Sequence, residues 1–569
     1  MISNLNDAGQ VYSTDVLVLG AGLAGFTIAN RIKELNSNLN VLIVEKSTAG
    51  FAGAKANKGA GVMWVMQPDD DIDKFRDYYC KYHGHFLEDQ ELLEKTCITT
   101  RTMVEHFERW GIEIKREADG KLSRMEAIPL WSLCAYDIDV LEKLRKVALK
   151  LGVRTMDKTQ FVELLTDGNR AAGAVGFDLI TGQYRIFKAR AVVLATGACN
   201  WMLTNMWYSG RGDGIAAAYR AGAEMRNAEF SNFYNLGVRG NMSAIVGGQY
   251  ALYNSDGEYL APKYCADFEV DIDIGILLGM EKEVMEGKGP IVYEETEMFI
   301  KNPLAVGGFL FKWERPVADK FWHTLMAKES QYNADRAWRP EVYPMFIGEC
   351  SCIKVDHGMQ TSMEGLWALG DTCRTGSAVS GAVPHPCRIR GSGITWATVS
   401  ALHSEKSLAA YLAGSSEPKI NVAQVEEYKK SLYAPMQREN GLSPREAIWR
   451  LQQVISPPRY SVRKSQMRIE EALGEVKNVL QLAESEVSPS GDWHLLGLCH
   501  DLKNMARCAE LYFTSSLTRT ESRGWHYRED FPQRDDANWR QWINIKLAKG
   551  KAAVSTERIP LERYKTKPY

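Results

Sequence analysis

Residues 385–390 (HPCRIR) bring one imidazole and two guanidinium groups within six residues of one another. The His385 imidazole titrates near neutral pH, so it can donate or accept a proton during a reaction. The Arg388 and Arg390 guanidinium groups can bind a carboxylate, sulfonate or phosphate through paired hydrogen bonds. The segment therefore predicts a catalytic site for a small anion. The alternatives are a structural histidine and arginines that pair with acids elsewhere in the chain.

A second group of residues suited to chemistry is the glycine run GAGLAG at residues 20–25, which fits G-x-G-x-x-G. An apolar run at residues 16–19 precedes it, and residues 26–35 have the pattern of a helix. A second apolar run at residues 41–44 ends in Glu45. This order of strand, glycine turn, helix, strand and acid is the one that dinucleotide-binding folds require.

Each residue of this unit has a physical role in binding a dinucleotide. Gly20 permits a tight turn, Gly22 lets the backbone approach a pyrophosphate at the helix N-terminus, and Gly25 lets the helix pack close to the strand. Glu45 can accept hydrogen bonds from the adenosine ribose. The predicted contacts in this unit are Gly20, Gly22, Ala24, Gly25 and Glu45.

Three later stretches favour FAD over NAD as the dinucleotide. Residues 46–61 form a loop rich in small residues, which can contact an extended flavin along its ribityl chain. Residues 191–197 (AVVLATG) and 365–371 (GLWALGD) each predict a strand that ends at the cofactor, the second with an acid for the ribityl hydroxyls. The contacts expected from these stretches are Lys46, Ser47, Ala54, Lys55, Asn57, Gly59, Ala195, Thr196, Gly197, Gly370 and Asp371.

Two predicted helix starts add further candidates. A helix that begins near Ser392 would direct its N-terminus, with Gly393 and Ile394, at the flavin, where the helix dipole stabilises the negative charge of the reduced ring. Asp213 begins another helix after a glycine-rich turn. It is either a cofactor contact or an ordinary N-cap.

The composition limits the classes of protein to consider. The chain has 569 residues, 45% hydrophobic and 25% charged, with a formal net charge of −2. These values are those of an ordinary globular protein and give no reason to expect nucleic-acid binding. No apolar run is long enough to span a membrane and no signal peptide is seen, so we expect a cytoplasmic location. The 11 cysteines lack the compact spacing that an iron–sulfur cluster uses, so we expect no metal in this chain.

The order of the elements predicts an α/β fold. A Rossmann-like FAD-binding domain is expected at 1–235 and 345–412, interrupted by an α+β cap domain at 236–344 and followed by a C-terminal helical domain at 413–569. Hydrophobic spacing predicts helices and strands before the cap. They are helices at 72–82, 90–110 and 136–151, a strand at 153–162 and a hairpin at 171–190.

Residues 519–532 (RTESRGWHYREDFP), together with GAGLAG, ATG and GLWALGD, give the chain its family resemblance. They match an R-x-E-S-R-G-x-x-x-R-x-D-[FY]-P segment, and the whole chain resembles the succinate dehydrogenase, fumarate reductase and adenylylsulfate reductase flavoprotein family. The resemblance implies an FAD-dependent oxidoreductase subunit that works with an iron–sulfur partner subunit. It also implies that His385 faces substrate and flavin.

Three departures separate the chain from the succinate and fumarate enzymes of that family. Residues 51–54 (FAGA) replace the R-S-H-T segment whose histidine attaches FAD covalently, so we expect non-covalent FAD. Residues 269–273 (EVDID) lack the arginine of the cap's S-R-D segment, and residues 346–350 (FIGEC) replace an H-[YF]-x-M-G-G segment. Fumarate reduction is therefore expected to be absent or slight.

Other segments resemble the adenylylsulfate reductase branch. Residues 285–293 (MEGKGPIVY), 382–386 (AVPHP) and 539–546 (WRQWINIK) are similar to that branch's R-E-G-R-G-P-I-Y-M, A-N-P-H-K and W-R-x-x-V-N-x-K. Residues 229–233 (EFSNF) lack the arginine expected beside its sulfonyl group. The resemblance favours an adenylylsulfate reductase-like activity on a small anion. The alternatives are a dicarboxylate or enoate oxidoreductase of the fumarate reductase type, and a non-catalytic FAD-containing electron-transfer subunit.

Overall fold

The computed structural model describes residues 4–53, 62–122, 124–128, 131–137, 139–203, 210–232, 234–239, 244–245, 252–264, 274–294, 341–374 and 392–568. Helices and strands alternate through the first part of the chain, and helices dominate the last part. The fold is α/β, as the sequence predicts.

The first part of the chain contains most strands of the main sheet, which is mixed, together with a small separate sheet and the helices that pack on them. Its helices are α1 (Leu5–Ala8), α2 (Leu23–Leu35), α3 (Ile72–Tyr82), α4 (Gln90–Arg109), α5 (Val140–Lys150) and α6 (Asp213–Ala221). Its strands are β1 (Gln10–Leu19), β2 (Val41–Val44), β3 (Val62–Val65), β4 (Arg124–Ile128), β5 (Trp131–Ala135), β6 (Arg154–Met156), β7 (Thr159–Asp167), β8 (Arg170–Asp178), β9 (Tyr184–Leu194) and β10 (Met225–Arg226).

The remaining strands form small sheets or return to the main one. They are β11 (Tyr234–Val238), β12 (Ala244–Ile245), β13 (Leu252–Tyr253), β14 (Val292–Tyr293), β15 (Val342–Phe346), β16 (Ile353–Lys354), β17 (Leu366–Ala368), β18 (Cys373–Arg374), β19 (Gln541–Ala548) and β20 (Lys551–Arg558). The later helices are α7 (Ala261–Tyr264), α8 (Ile274–Met285), α9 (Ser392–Gly414), α10 (Val422–Tyr433), α11 (Pro444–Ile455), α12 (Pro458–Ser461), α13 (Gln466–Ser485), α14 (Trp493–Thr518) and α15 (Asp536–Trp539).

The main sheet has the strand order β6-β2-β1-β9-β8-β7, with β17 beside β9. Strands β2, β1, β9 and β17 run parallel, with Val18 paired to both Ile43 and Val193. The apolar residues of β1 and β2 are buried because helices or other strands cover both faces of the sheet. The carboxyl ends of β1, β2 and β9 therefore meet at one edge of the sheet.

Local sequence explains where the early helices begin. Asp71 caps α3 by accepting the Lys74 N–H at 3.0 Å, and Asp89 caps α4 by accepting the Leu92 N–H at 3.1 Å. Both helices lie where their spacing predicts. Helix α5 begins later than predicted because Tyr136 forms a β-bridge with Ile114.

Other predicted elements differ in detail. The strand expected at 153–162 is divided into β6 and β7, since Lys158 adopts a φ of 50° between them. The expected hairpin is present as antiparallel β8 and β9. The C-terminal region is mostly helical, but it ends in a β19–β20 hairpin that joins β10 and β16 in one sheet, an element that the sequence analysis did not predict.

The segment between β11 and β15 is anchored at its two ends. These strands are antiparallel, and their register runs from Tyr234 opposite Phe346 to Val238 opposite Val342. The domain boundaries expected at 236 and 344 fall within these strands and stay a prediction. Among the described helices, none has the length and apolar character needed to cross a bilayer.

Candidate functional site

The glycine turn after β1 is shaped by close backbone contacts. Gly20 has a φ of +107°, and a Cβ added there would lie 2.4 Å from the Ala195 carbonyl oxygen. A Cβ on Gly25 would lie 2.0 Å from the Gly20 carbonyl oxygen. Only glycine fits these two positions, so the first and third glycines of the motif serve packing of β1, β9 and α2.

Gly22 is different because its Cα faces a cavity. The nearest atom to a Cβ added at Gly22 is the Gly53 Cα, at 3.8 Å. The N-terminus of α2 lies directly behind it, with Gly22 as the N-cap and no side chain that caps the helix. The free N–H groups of this first turn can bind a pyrophosphate that approaches over Gly22. The turn therefore fits the dinucleotide predicted from the sequence.

The cavity beside Gly22 has a volume of about 300 Å³. It lies at the carboxyl edge of the main sheet, where ligands of such sheets bind. Its wall includes residues that the sequence analysis selected: Gly20, Gly22, Ala24, Glu45, Lys46, Ser47, Ala195, Thr196, Gly197, Asp213, Gly370, Asp371 and Gly393. Gly25, Ser392 and Ile394 are buried and do not line the cavity.

Several lining residues were missed by sequence reasoning. They are Gly53, Thr159, Gln160, Phe161, Asn200 and Ala397, among others. Thr159–Phe161 begin β7, whose start at the cavity follows from the break at Lys158. The polar residues Thr159 and Gln160 precede an apolar stretch of β7, which could have drawn attention to them. Nothing in the sequence, however, indicates that they lie near the glycine turn.

Glu45 lies at the end of β2 and is buried. Its Oε2 accepts the Ala21 N–H at 2.8 Å, and its Oε1 accepts the Ser47 N–H at 2.8 Å. Burial raises the pKa of Glu45, while these two backbone donors and Lys46 act in the opposite direction. Each carboxylate oxygen keeps a second lone pair for another donor. The predicted hydrogen bond to a ribose hydroxyl is compatible with this arrangement.

Lys46 and Asp213 form an ion pair on the cavity wall. The Lys46 Nζ lies 3.1 Å from Asp213 Oδ2 and 2.6 Å from Asp501 Oδ1. Asp213 is the first residue of α6, and the N-cap is Gly212, with a φ of 75°. The N-cap alternative for Asp213 is therefore wrong. Its role as a cofactor contact stays a prediction, which its position on the wall supports.

Helix α9 begins at Ser392, and its second residue, Gly393, lines the cavity. The Thr395 hydroxyl accepts the Trp64 N–H at 2.8 Å and donates to the Trp64 carbonyl at 2.7 Å. The Gly370 N–H donates to Ser400 Oγ at 2.9 Å, and the Trp396 indole donates to the Gly370 carbonyl at 3.1 Å. These bonds fix the N-terminal turn of α9 against β3 and against the turn that carries Asp371.

The remaining predicted site residues lie outside the described residues. They are His385, Arg388 and Arg390, proposed for catalysis, and Ala54, Lys55, Asn57 and Gly59, proposed for the cofactor loop. Their roles stay predictions.

Comparison with known proteins gives two family matches. A model of the FAD binding domain matches residues 15–239, and a model of the C-terminal part of the fumarate reductase flavoprotein matches residues 451–569. A fumarate reductase (CoM/CoB) subunit of Methanothermobacter marburgensis is 25% identical over 549 residues, covering 92% of this chain and 95% of that protein. The 8-methylmenaquinol:fumarate reductase flavoprotein subunit of Wolinella succinogenes is 23% identical, covering 99% and 93%.

Solved structures share the fold along nearly the whole chain. Adenylylsulfate reductase from Archaeoglobus fulgidus superposes with a TM-score of 0.78 at 19% identity, covering 97% of both chains. The E. coli quinol:fumarate reductase flavoprotein superposes with a TM-score of 0.81 at 18% identity, covering 98% of both.

The glycine turn, the cavity that it opens and the matched FAD-binding model define an FAD-dependent oxidoreductase. Its two matched segments and its relatives make it similar, along nearly the whole chain, to the flavoprotein subunits of fumarate reductase and succinate dehydrogenase.

Proposed function

We propose that the chain is a catalytic flavoprotein subunit that moves two electrons between FAD and a small anionic substrate. The observation that carries the proposal is the position of the α9 N-terminus. Gly393 lines the cavity, and Arg390 precedes Ser392 by two residues. A chain of two residues spans at most about 7 Å. The segment with the imidazole and two guanidinium groups thus immediately precedes, in sequence, a helix start that lines the cavity, which supports the proposal.

The roles follow from the chemistry of these groups. Bound FAD supplies the two-electron exchange. Arg388 and Arg390 bind the substrate anion, since two cations in one loop need an anionic partner when water is excluded. His385 donates or accepts the proton that accompanies the electron transfer. The α9 N-terminus, with Gly393 at the cavity, favours negative charge beside it.

The class of anion has two candidates. An adenylylsulfate-type substrate is favoured by residues 285–293, 382–386 and 539–546, which resemble that branch. A dicarboxylate is favoured by the names of relatives, since the Methanothermobacter and Wolinella proteins, at 25% and 23% identity, are named as fumarate reductase subunits. Fold similarity does not separate them, because the TM-scores of 0.78 and 0.81 are nearly equal.

Turnover with reduced viologen as electron donor separates the candidates. We expect little or no reduction of fumarate, since residues 269–273 lack an arginine and residues 346–350 lack a histidine. Adenylylsulfate and simple sulfonates are tested in parallel. Robust fumarate turnover would show that the substrate is a dicarboxylate and that these two segments were matched wrongly.

An iron–sulfur protein is the proposed electron partner. The sequence offers no compact four-cysteine spacing for a cluster of its own, and the relatives in other organisms are named as subunits. Co-purification of a tagged chain from its native cells should recover a small cluster protein. If the chain is instead a non-catalytic electron-transfer subunit, the flavin will exchange electrons with that partner, but no anionic substrate will change its absorbance.

A further inference from the structure

One face of α14 lies directly behind the cavity wall. Gly497, Asp501 and Asn504 are spaced by four and three residues, so they share a face of the helix. The Gln160 amide donates to the Gly497 carbonyl at 3.2 Å and to Asp501 Oδ1 at 2.9 Å. A Cβ on Gly497 would lie 2.5 Å from Gln160 Oε1, so glycine permits this close approach.

The same face contacts the charged residues of the wall. Asp501 Oδ1 accepts from Lys46 Nζ at 2.6 Å, and Asn504 donates to Asp213 Oδ1 at 2.9 Å. Burial alone would lower the pKa of Lys46, but Asp213 and Asp501 raise it above its ordinary value. The ammonium therefore stays charged, and α14 fixes its position although Asp501 itself does not line the cavity.

These contacts lie at the adenosine end of the cavity. The Thr159 N–H donates to the Glu45 carbonyl at 3.0 Å, which places Gln160 beside the acid expected to bind the ribose. Asp371 and Gly393 line the same cavity. Lys46, Gln160 and Asp213 thus form one polar wall around the adenosine end, and α14 supports all three.

We propose that Asp501 is a positioning residue for the adenylate half of FAD, acting through Lys46 and Gln160. Without the Asp501 carboxylate, the Lys46 ammonium and the Gln160 amide lose the acceptor that fixes their positions. Binding of the cofactor must then order these side chains, which weakens the affinity for FAD. The inference rests on FAD occupying this cavity and is independent of the proposed substrate.

The test uses full-length Asp501→Asn apoprotein and three ligands. Asparagine keeps the size and one oxygen acceptor but removes the charge. We expect the Kd of FAD and the Kd of ADP to rise by the same factor, about 10-fold, because one charge-assisted hydrogen bond is weakened. The Kd of FMN, which lacks the adenylate, should not change. The thermal midpoint of the apoprotein is measured alongside to report on folding.

A matched control is Asp15→Asn. Asp15 pairs with Arg190 at 3.0 Å, and neither residue lines the cavity. This variant should bind all three ligands as the parent protein does. If Asp501→Asn does not fold, Asn504→Ala removes the neighbouring α14 contact and should weaken ADP and FAD selectively. Unchanged FAD and ADP binding, or an equal loss of FMN binding, would overturn the proposal.

Discussion

Arg519 and Glu229 form an ion pair in the interior, with Nε 2.8 Å from Oε1 and neither side chain exposed to solvent. Arg519 Nη1 also lies 2.9 Å from Glu521 Oε1, and Glu521 in turn binds Arg523 at 2.7 Å. The pair joins the segment after α14 to the short turn before β11. The C-terminal motif that carries the family resemblance therefore contacts the residues that lead into the segment between β11 and β15.

Removing one member of this network should be costly. Arg519→Ala leaves Glu229 buried without its ion-pair partner, although Glu521 keeps Arg523. We expect the free energy of unfolding to fall by about 3–5 kcal/mol. Urea denaturation at constant pH measures this change in the free energy of unfolding. The control is Arg459→Ala, which breaks a solvent-exposed pair with Glu471 and should have a much smaller effect on the free energy of unfolding. Equal effects of the two variants would contradict the role assigned to the buried pair.

The glycines of the turn should fail in different ways when substituted. Gly22 has a φ of −80°, and a Cβ there meets no protein atom closer than 3.8 Å, so Gly22→Val should fold but lose FAD because the side chain enters the cavity. Gly25→Ala puts a Cβ 2.0 Å from the Gly20 oxygen and should lower stability by about 1–3 kcal/mol. Circular dichroism and bound-flavin absorbance separate the two outcomes. A Gly22→Val protein that retains FAD would disprove the position of the pyrophosphate.

The buried Glu88 should make stability depend on pH. Burial raises its pKa from an ordinary 4.5 to about 7, against weaker opposing effects of Cys80, Arg523 and Arg534. The folded state therefore keeps a proton that the unfolded state loses above pH 4.5. This contribution to stability is fully present below pH 4.5 and is lost as the pH rises through 7. The total loss in the free energy of unfolding is about 3 kcal/mol.

Glu88→Gln tests this dependence. The amide stays neutral, so its unfolding free energy relative to the parent protein should increase between pH 5 and pH 8. The exposed Glu91 provides the control, and Glu91→Gln should leave the pH dependence of the parent unchanged. A Glu88→Gln curve parallel to that of the parent would show that Glu88 does not titrate in this range.

The cofactor should be released when the protein is denatured. Gly53 faces the Gly22 Cα, at 3.0 Å from an added Cβ, and residues 51–54 contain no histidine to attach the ring. Acid precipitation should leave all flavin in the supernatant and a polypeptide of unmodified mass. A fluorescent band after denaturing electrophoresis would refute non-covalent binding.

Variants of the HPCRIR segment should separate anion binding from chemistry. Arg388→Ala or Arg390→Ala should reduce kcat/KM by roughly 10- to 150-fold through loss of a charge-assisted contact. His385→Ala should mainly lower kcat. FAD content should stay at the parent level, since Gly22 and Glu45 lie elsewhere on the cavity wall. Full activity in all three variants would show that this segment is structural.

Sequence reasoning located the elements whose signal is local. The glycine turn, helix α3 and the place of Glu45 at the end of β2 were predicted because their patterns extend over a few neighbouring residues. Asp213 could not be assigned in this way. Its partners are Lys46 and Asn504, and no pattern in the chain relates residues so far apart in sequence.

The C-terminal hairpin shows a different limit. Residues 548–551 (AKGK) form a turn signal between β19 and β20, and buried Ile543 and Ile545 alternate with Asn544. The charged helices that precede the hairpin dominate the composition of the C-terminal region, so the region was predicted to be a helical domain. Pairing of β19 with β10 then depends on a contact between Met225 and Ile545, which only the folded chain brings together.

The antiparallel pairing of β11 with β15 bears on how such a protein can arise. Because Val238 lies opposite Val342, everything between them starts and finishes at one point of the structure. A gene could have acquired this stretch in a single insertion event, without rerouting the chain on either side. Replacing this stretch by another would therefore require only two junctions, and those junctions lie next to each other in the folded protein.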